Sequence, residues 1–407
     1  MSRLLVITSR VPYSTTEEAF VQDELEAMRR RGVDLIVVPT RLRTAVPNDA
    51  AVRSGLADVT VAQPLVSRTV LAQATRTFLR HPIRAVRVAA AALAASGSLR
   101  NAAANLAVVP KALWIAELVR TRDVSHVHAY WLAHTSTAAM IASQLTGRPW
   151  SGTGYRWDID AANALGPKIA TAAFLRVADE LGQRIMRERI EAAPRPCQLE
   201  LVRTGVDLPD RSAFPTMPVN SSIVCCAGAF VPKKGQGFLI EAVRQLRDEG
   251  RPVHLHLFGD GELRGALESD IARLELTDHV TLHGIVPLES LRAFLRSERP
   301  IFVLPSIKAD DGQEEGIPVV LIEAMSNGCP VVSTTTGSIP TLVLPGCGVL
   351  VEHRDPGQLR EAVARLQDDP AATHNMTVAA RERVAGEFDL RSTAKAIAEL
   401  TKCADPR

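Results

Sequence analysis

Two glutamates stand eight positions apart, Glu315 and Glu323, in the stretch EEGIPVVLIEAMSNGCPVV (314–332), the second of them inside an apolar run. A carboxylate accepts two hydroxyl hydrogen bonds well, so the pair suits a ligand with hydroxyls at both ends. Between the two, Gly316 removes a side chain where backbone could approach a ligand closely. Pro318 suits the first helical position, because its missing N–H would be unpaired there anyway. Asn327-Gly328 supplies the stop, so the pattern predicts a helix over 318–327. Its unpaired N–H groups and positive dipole end, around Ile317, Pro318 and Val319, suit a phosphate. Glu323 then lies about 7 Å along the axis, at roughly 1.5 Å per residue. A sugar–diphosphate–ribose ligand has this order of needs: hydroxyls, anionic phosphates, vicinal hydroxyls. The same spacing also reads as a loop glutamate followed by a solvated helix glutamate.

Elements to position such a pair recur along the chain. RLLVITS, a loop and the helix AFVQDELEAMRRR lead through Gly32 to the strand VDLIVVPT. Strand, helix and strand in that order make a βαβ unit and a parallel sheet. VSHVHAYW and RPWSGTGY repeat the pattern, and LELVRTGVDL closes the first half. PDRSAFPTMPVNSS, with three prolines, breaks it. A second series follows, with strands SIVCCAGAF, PVHLHLFG, HVTLHG, IFVLPS and PVVSTT alternating with helices. The expected architecture is α/β, with two doubly wound Rossmann-like domains facing each other across a cleft. The expected divisions are an N-terminal domain over 1–208, a linker over 209–221, a second Rossmann-like domain over 222–385, and a C-terminal helix over 386–407 packing back toward the N-terminal domain.

Composition narrows the functional classes. A net charge of +2 over 407 residues argues against a general nucleic-acid binder, so no nucleic-acid partner is expected. The cysteines (197, 225, 226, 329, 347, 403) form no C-x-x-C pair and no metal spacing, and read as reduced thiols in a cytoplasmic protein. His254 and His256 alternate on one strand without a third partner, so no metal site is expected. MSRLLVITSR reads as a buried strand rather than a signal peptide, and VRVAAAALAASG is too short to cross a bilayer, so no transmembrane segment is expected.

The E-x7-E stretch, with LPS upstream and PVVST downstream, resembles that of the retaining group 1 glycosyltransferases of the GT-B fold. FGDGELRGALE, VTLHGIVPLESLRAFLRSERPIFVLPS and GVLVEHRDPGQLREAV follow in that family's order, and AFVQDELEAMRRRG is similar to the entry helix of the subgroup that builds exopolysaccharides such as colanic acid. The resemblance implies transfer of a sugar from a nucleotide diphosphate sugar to a hydroxyl acceptor. It implies a catalytic role for Glu315 and a donor-binding one for Glu323. In GAFVPKKGQG it implies that Gly228 and Lys234 meet the donor diphosphate, with Lys234 stabilising the leaving group. Ala229 stands where the family has an arginine, and Lys233 is placed to compensate. Gly259 and Gly261 of the GDG turn are implied on the donor side. SGTGYRWDID resembles a family segment that makes Asp158 and Tyr155 catalytic, with Tyr155 in place of a histidine; cleft lining is the plainer reading of Tyr155. Arg203 likewise replaces a histidine, His128 reads as a buried structural residue, and Glu18 as an acceptor-side carboxylate or a simple helix-start charge.

One segment stands apart. From Val59 to Ala116 there is no Asp or Glu, while Arg68, Arg76, Arg80, Arg84, Arg87, Arg100 and Lys111 lie in it. Arg76, Arg80, Arg84 and Arg87 share one helical face, interrupted by Pro82. This stripe suits an anionic membrane surface and equally a solvated alanine-rich face. The expected enzyme thus takes a nucleotide sugar donor and a glycolipid, polysaccharide or small hydroxylated acceptor, uses no cofactor, and works in the cytoplasm or on the inner face of the membrane. A natural-product glycosyltransferase and a catalytically degenerate partner subunit are the alternatives.

Overall fold

Short β-branched runs that are apolar on both faces form parallel strands only when helices cover both sides. The computed structural model describes residues 3–13, 18–42, 46–209 and 218–403. Residues 210–217 of the expected linker and 404–407 of the expected C-terminal segment lie outside these. The chain divides into two units, one running to Thr204 and resuming at Leu390, the other spanning Gly205–Asp389.

In the first unit, β1 (Arg3–Thr8), β2 (Asp34–Pro39), β3 (Val124–Tyr130), β4 (Trp150–Gly154), β5 (Phe174–Val177) and β6 (Gln198–Leu201) form a parallel sheet in the order β2-β1-β3-β4-β5-β6. The chain reverses direction across the sheet between β1 and β3, and ligands of such sheets bind outside the carboxyl ends at that point. β5 was not among the expected strands. Its FLRV carries Arg176 in the sheet interior, paired there with Glu24 from the helix Ala19–Arg30; both side chains are 0% exposed. The C-terminal helix Leu390–Cys403 buries Leu390, Ala394, Ile397 and Ala398 against Val21, Leu25 and Met28 of that same helix.

The basic segment forms three helices: Arg68–Arg80, Pro82–Ala94 and Leu99–Thr121. Pro82 starts the second, as its fixed φ favours. By length and composition the third could cross a membrane, which the sequence reading passed over; 61% of its apolar window is buried within the unit. Two of the expected surface cations are corrected. Lys111 is fully buried, its Nζ donating to the Gln63 carbonyl, and burial pushes its pKa down to about 8. Arg80 is paired with Glu117 at 2.6 Å.

In the second unit, β7 (Asn220–Ala227), β8 (His254–Phe258), β9 (Val280–Gly284), β10 (Pro300–Leu304), β11 (Val331–Thr334) and β12 (Val349–Val351) run parallel in the order β12-β11-β10-β7-β8-β9. The order reverses between β7 and β10, so the loops after Ala227 and after Leu304 converge at the switch point. The core beneath is continuous from Val224, Leu255 and Phe302 to Leu321 and Met325.

Candidate active site

The loop leaving β7 turns through Pro232–Lys234 and delivers both lysines to the switch point. The loop leaving β10 delivers Glu315. Lys234 Nζ lies 2.9 Å from Glu315 Oε1 and Lys233 Nζ lies 3.8 Å from the same oxygen. Glu315 is buried. Burial pushes its carboxyl up, and the charges of Lys234 and Lys233 more than reverse this, holding it below the usual carboxylate range. An ionised carboxylate and two ammonium groups are thus assembled at one point, with both cations on one oxygen of the carboxylate.

Glycines let the neighbouring loops close on this point. The Gly259 amide donates to Gly284 and the Gly228 amide to Phe258, and a Cβ on Gly259 would lie 2.0 Å from the Gly228 carbonyl oxygen. Gly228 also faces the Lys234 side chain, whose Cε would be 3.4 Å from an added Cβ. Gly261 follows in the turn beside Phe230. Gly337, at φ +57°, was missed: its missing side chain admits the Glu315 carbonyl, which a Cβ would meet at 2.0 Å. The turn residues TTTGS after β11 carried that signal.

Gly316 and Ile317 form a bend, Pro318 takes the N-cap in extended geometry instead of the first helical position, and the helix runs Val319–Ser326, shorter than the expected 318–327. Glu323 is 1% exposed. The sequence offered no partner for it. The structure supplies Arg292, from the helix Leu288–Glu298, whose Nη2 lies 2.6 Å from Oε1 and whose Nε lies 3.1 Å from Oε2.

Asp158 and Tyr155 belong to the first unit, Asp158 buried in its interior and Tyr155 half-buried. Asp158 is 1% exposed and accepts the amides of Leu132 and, at 2.8 Å, Tyr155, which caps the short helix Arg156–Ala161. The Tyr155 ring packs on Trp131 and Phe20, with centroids 4.8 and 5.3 Å away. Its hydroxyl is buried, and burial followed by the Glu24 charge pushes its pKa well above the tyrosine range, so it stays neutral. Both residues thus shape the loop after β4. Glu18 is also consumed internally, accepting the amides of Ser9, Arg10 and Val11 and the Trp131 indole. Arg203 pairs with Glu180. The Nδ1 of His256 meets His283 Nε2 of the adjacent strand at 2.8 Å, a neighbour the sequence did not reveal; among the described residues no group of His, Cys, Asp and Glu is gathered to hold a metal.

Two buried histidines and a third that is half-buried make the first unit acid-sensitive. Burial pushes His126 down to about 3 and His128 well below its ordinary value; burial, then the Arg41 and Lys168 charges, pushes His134 down to about 3. Their folded pKa values are depressed, so below the unfolded value near 6.5 only the unfolded chain takes up protons and stability falls with pH. Asp158 works oppositely, because burial pushes it up to about 7, and offsets about one histidine; Lys168, pushed down to about 7 by burial, adds a small loss. The expected net loss is roughly 2–3 kcal/mol between about pH 7.5 and 5.5. All four tryptophans (114, 131, 150, 157) lie in this unit, so fluorescence-detected denaturant melts report it alone. A midpoint unchanged over that range would contradict the reading.

Residues 211–383 match the family model for glycosyl transferases group 1. The chain is 38% identical over 169 residues to the amylovoran biosynthesis glycosyltransferase AmsK of Erwinia amylovora, covering 41% of each chain. It is 35% identical over 211 residues to the putative colanic acid biosynthesis glycosyltransferase WcaL of Salmonella typhimurium, covering 50% of this chain and 51% of that protein. The chain thus spans about half the length of the curated relatives it matches. The crystal structure of Anabaena HepE in complex with UDP is similar with a TM-score of 0.67 at 19% identity, over 99% of this chain and 100% of that one. At that identity the likeness is one of fold, and the fold is the GT-B type expected from the sequence.

Proposed function

We propose that this chain, whose second unit belongs to the group 1 glycosyl transferases, moves a sugar from a nucleoside diphosphate sugar to a hydroxyl acceptor with retention of the anomeric configuration. The observation that carries the proposal is the Lys234–Glu315 pair at the switch point of the second sheet, beside the helix that bears Glu323. In this reading Lys234, Lys233 and the start of the helix Val319–Ser326 hold the diphosphate. Glu323 accepts the ribose hydroxyls, and Glu315 meets the sugar hydroxyls with the oxygen that the lysines leave. As the bond from the anomeric carbon to the phosphate oxygen breaks, Lys234 takes up the growing charge. The acceptor oxygen bonds to that carbon on the same face, and its proton passes to the leaving phosphate. Two lysines and a helix end suffice for the charge, so no metal or other cofactor is assigned.

Thermal-shift measurements against a panel of nucleotide sugars test this. A donor present at about a hundred times its Kd stabilises the fold by about 2.7 kcal/mol. No shift with any of them counts against the reading. Binding without transfer or donor hydrolysis would make the chain a partner subunit instead, a reading that Ala229, in place of an arginine, would favour.

The acceptor proposed is a polysaccharide or glycolipid made at the inner face of the membrane. Two curated relatives are named for exopolysaccharide synthesis, and the surface of the first unit agrees. Arg76, Arg84 and Arg87 are exposed, and among them stand Leu79 (72% exposed), Ile83 (75%) and Val86 (56%). Cations interleaved with uncovered apolar groups match an anionic lipid surface, at about 1 kcal/mol per basic residue. Arg84→Glu with Arg87→Glu is expected to weaken sedimentation with phosphatidylglycerol vesicles at least ~30-fold, and salt to weaken wild-type binding. Donor hydrolysis should survive, since the proposed donor residues all lie in the second unit. Indifference to lipid charge, salt and the double reversal would move the acceptor to a soluble small molecule.

A further inference from the structure

We infer that Trp131, with Phe20 and Tyr155 beside it, forms a flat apolar platform on which a hexopyranose ring of the acceptor stacks. The inference rests on the hydroxyl-acceptor reading above and gives that acceptor a class and a seat. The three residues gather at one edge of the first sheet. Trp131 directly follows β3, Tyr155 directly follows β4, and Phe20 stands in the first turn of the helix Ala19–Arg30 that comes after β1. That edge is the carboxyl end of the strands, where β1 and β3 mark the reversal of strand order and ligands of such sheets bind. The Trp131 and Tyr155 ring centroids lie 4.8 Å apart, and Phe20 stands 5.3 Å from Tyr155 and 6.2 Å from Trp131. All three side chains are half-buried, so the cluster keeps a surface open, whereas Trp114 and Trp150 are 3% and 0% exposed in the core.

The backbone shows that the indole is held at this edge against its own preference. Trp131 has a φ of +74°, a region that suits glycine and that a bulky residue rarely enters. Such a conformation persists only where the surroundings over-determine it, and such outliers cluster at ligand sites. Glu18 supplies the constraint here. It is buried, it accepts the amides of Ser9, Arg10 and Val11, and it also accepts the Trp131 indole N–H. The plane of the indole is therefore set before a ligand arrives. A hexopyranose carries hydroxyls around its rim and C–H groups on its face. Its rim is well served by water, but its face gains from leaving water for a flat apolar surface.

The test uses the donor that thermal shift identifies, with octyl glucoside, octyl galactoside and octyl mannoside as acceptor probes. Wild type, Trp131→Phe and Trp131→Leu are compared. Both variants keep a side chain at the positive φ and both lose the indole N–H, so they differ in the flat ring. Acceptor KM should rise roughly 10-fold or more in Trp131→Leu and only about 3-fold in Trp131→Phe, with a smaller change in donor Kd. Equal acceptor KM in the two variants, or losses that fall equally on donor Kd, would make Trp131 a structural residue and overturn the inference. If Trp131→Leu fails to fold, Trp131→Gly replaces it, because glycine takes this backbone without strain, and an acceptor KM no higher than that of Trp131→Phe then overturns it. A wild type that binds donor but transfers to no octyl hexoside overturns the hexose class and the platform with it. A wild type that binds no nucleotide sugar overturns the donor reading first, before any variant is made.

Discussion

Lys234→Ala is expected to lower the catalytic constant by about 10²–10³-fold, with a smaller loss of donor affinity, as for removal of one preorganised group aimed at developing charge. The ammonium lies 2.9 Å from Glu315 and 13% of its side chain is exposed, so it acts where water is scarce. The substitution has a second consequence. It leaves a buried carboxylate with only Lys233, 3.8 Å away. In wild type the lysine charges hold the Glu315 carboxyl below its ordinary value against the effect of burial. Without Lys234, burial prevails and the value rises. The acid limb of the pH–rate profile should therefore move to higher pH in Lys234→Ala. Steady-state kinetics over pH, with donor Kd from calorimetry, measure both effects. Equal losses in binding and turnover, with an unmoved acid limb, would reduce Lys234 to a ground-state contact. Ala229→Arg is the companion: if the missing cation limits the rate, restoring it should raise turnover.

Glu24→Ala is expected to be the most damaging single change in the first unit, at about 3–5 kcal/mol, because it strands a buried guanidinium. Arg176 binds Glu24 through two contacts of 2.8 Å each, and its Nε donates to the Val202 carbonyl at 2.8 Å. Tyr130 donates its hydroxyl to the same carboxylate at 2.7 Å, so it too loses its partner. For a unit of this size each kcal/mol corresponds to about 2–4 °C, which predicts a melting temperature lower by roughly 10 °C. Replacing the whole network, Glu24→Leu with Tyr130→Phe and Arg176→Met, should recover most of the loss, since apolar substitutes for a buried pair are often neutral. Tryptophan-detected melts compare the variants. A Glu24→Ala protein melting with wild type would show that Arg176 finds another partner.

The sequence by itself determined the features that depend on near neighbours. Alternating strands and helices announced two parallel sheets, and the break over PDRSAFPTMPVNSS separated them. Glu315, the Gly-Ile-Pro turn and Glu323 lie within one short stretch, and Lys233 and Lys234 within one loop, so their types and spacing were legible without a fold. Only the tertiary structure decided what each buried charge meets. Arg292 is 31 positions from Glu323, and Arg176 is 152 positions from Glu24. An arginine inside FLRV hid the strand β5, because an apolar run interrupted by a charge does not read as a sheet interior until its counter-ion is in place. Lys111 likewise looked like a surface cation until packing buried it, and the amides that Asp158 accepts and the rings that Tyr155 packs on came into view only with the fold. Periodicity and turn chemistry are local and survive in a one-dimensional reading. Desolvation and ion pairing act between groups far apart in the chain, and they take effect only when folding removes the water between them.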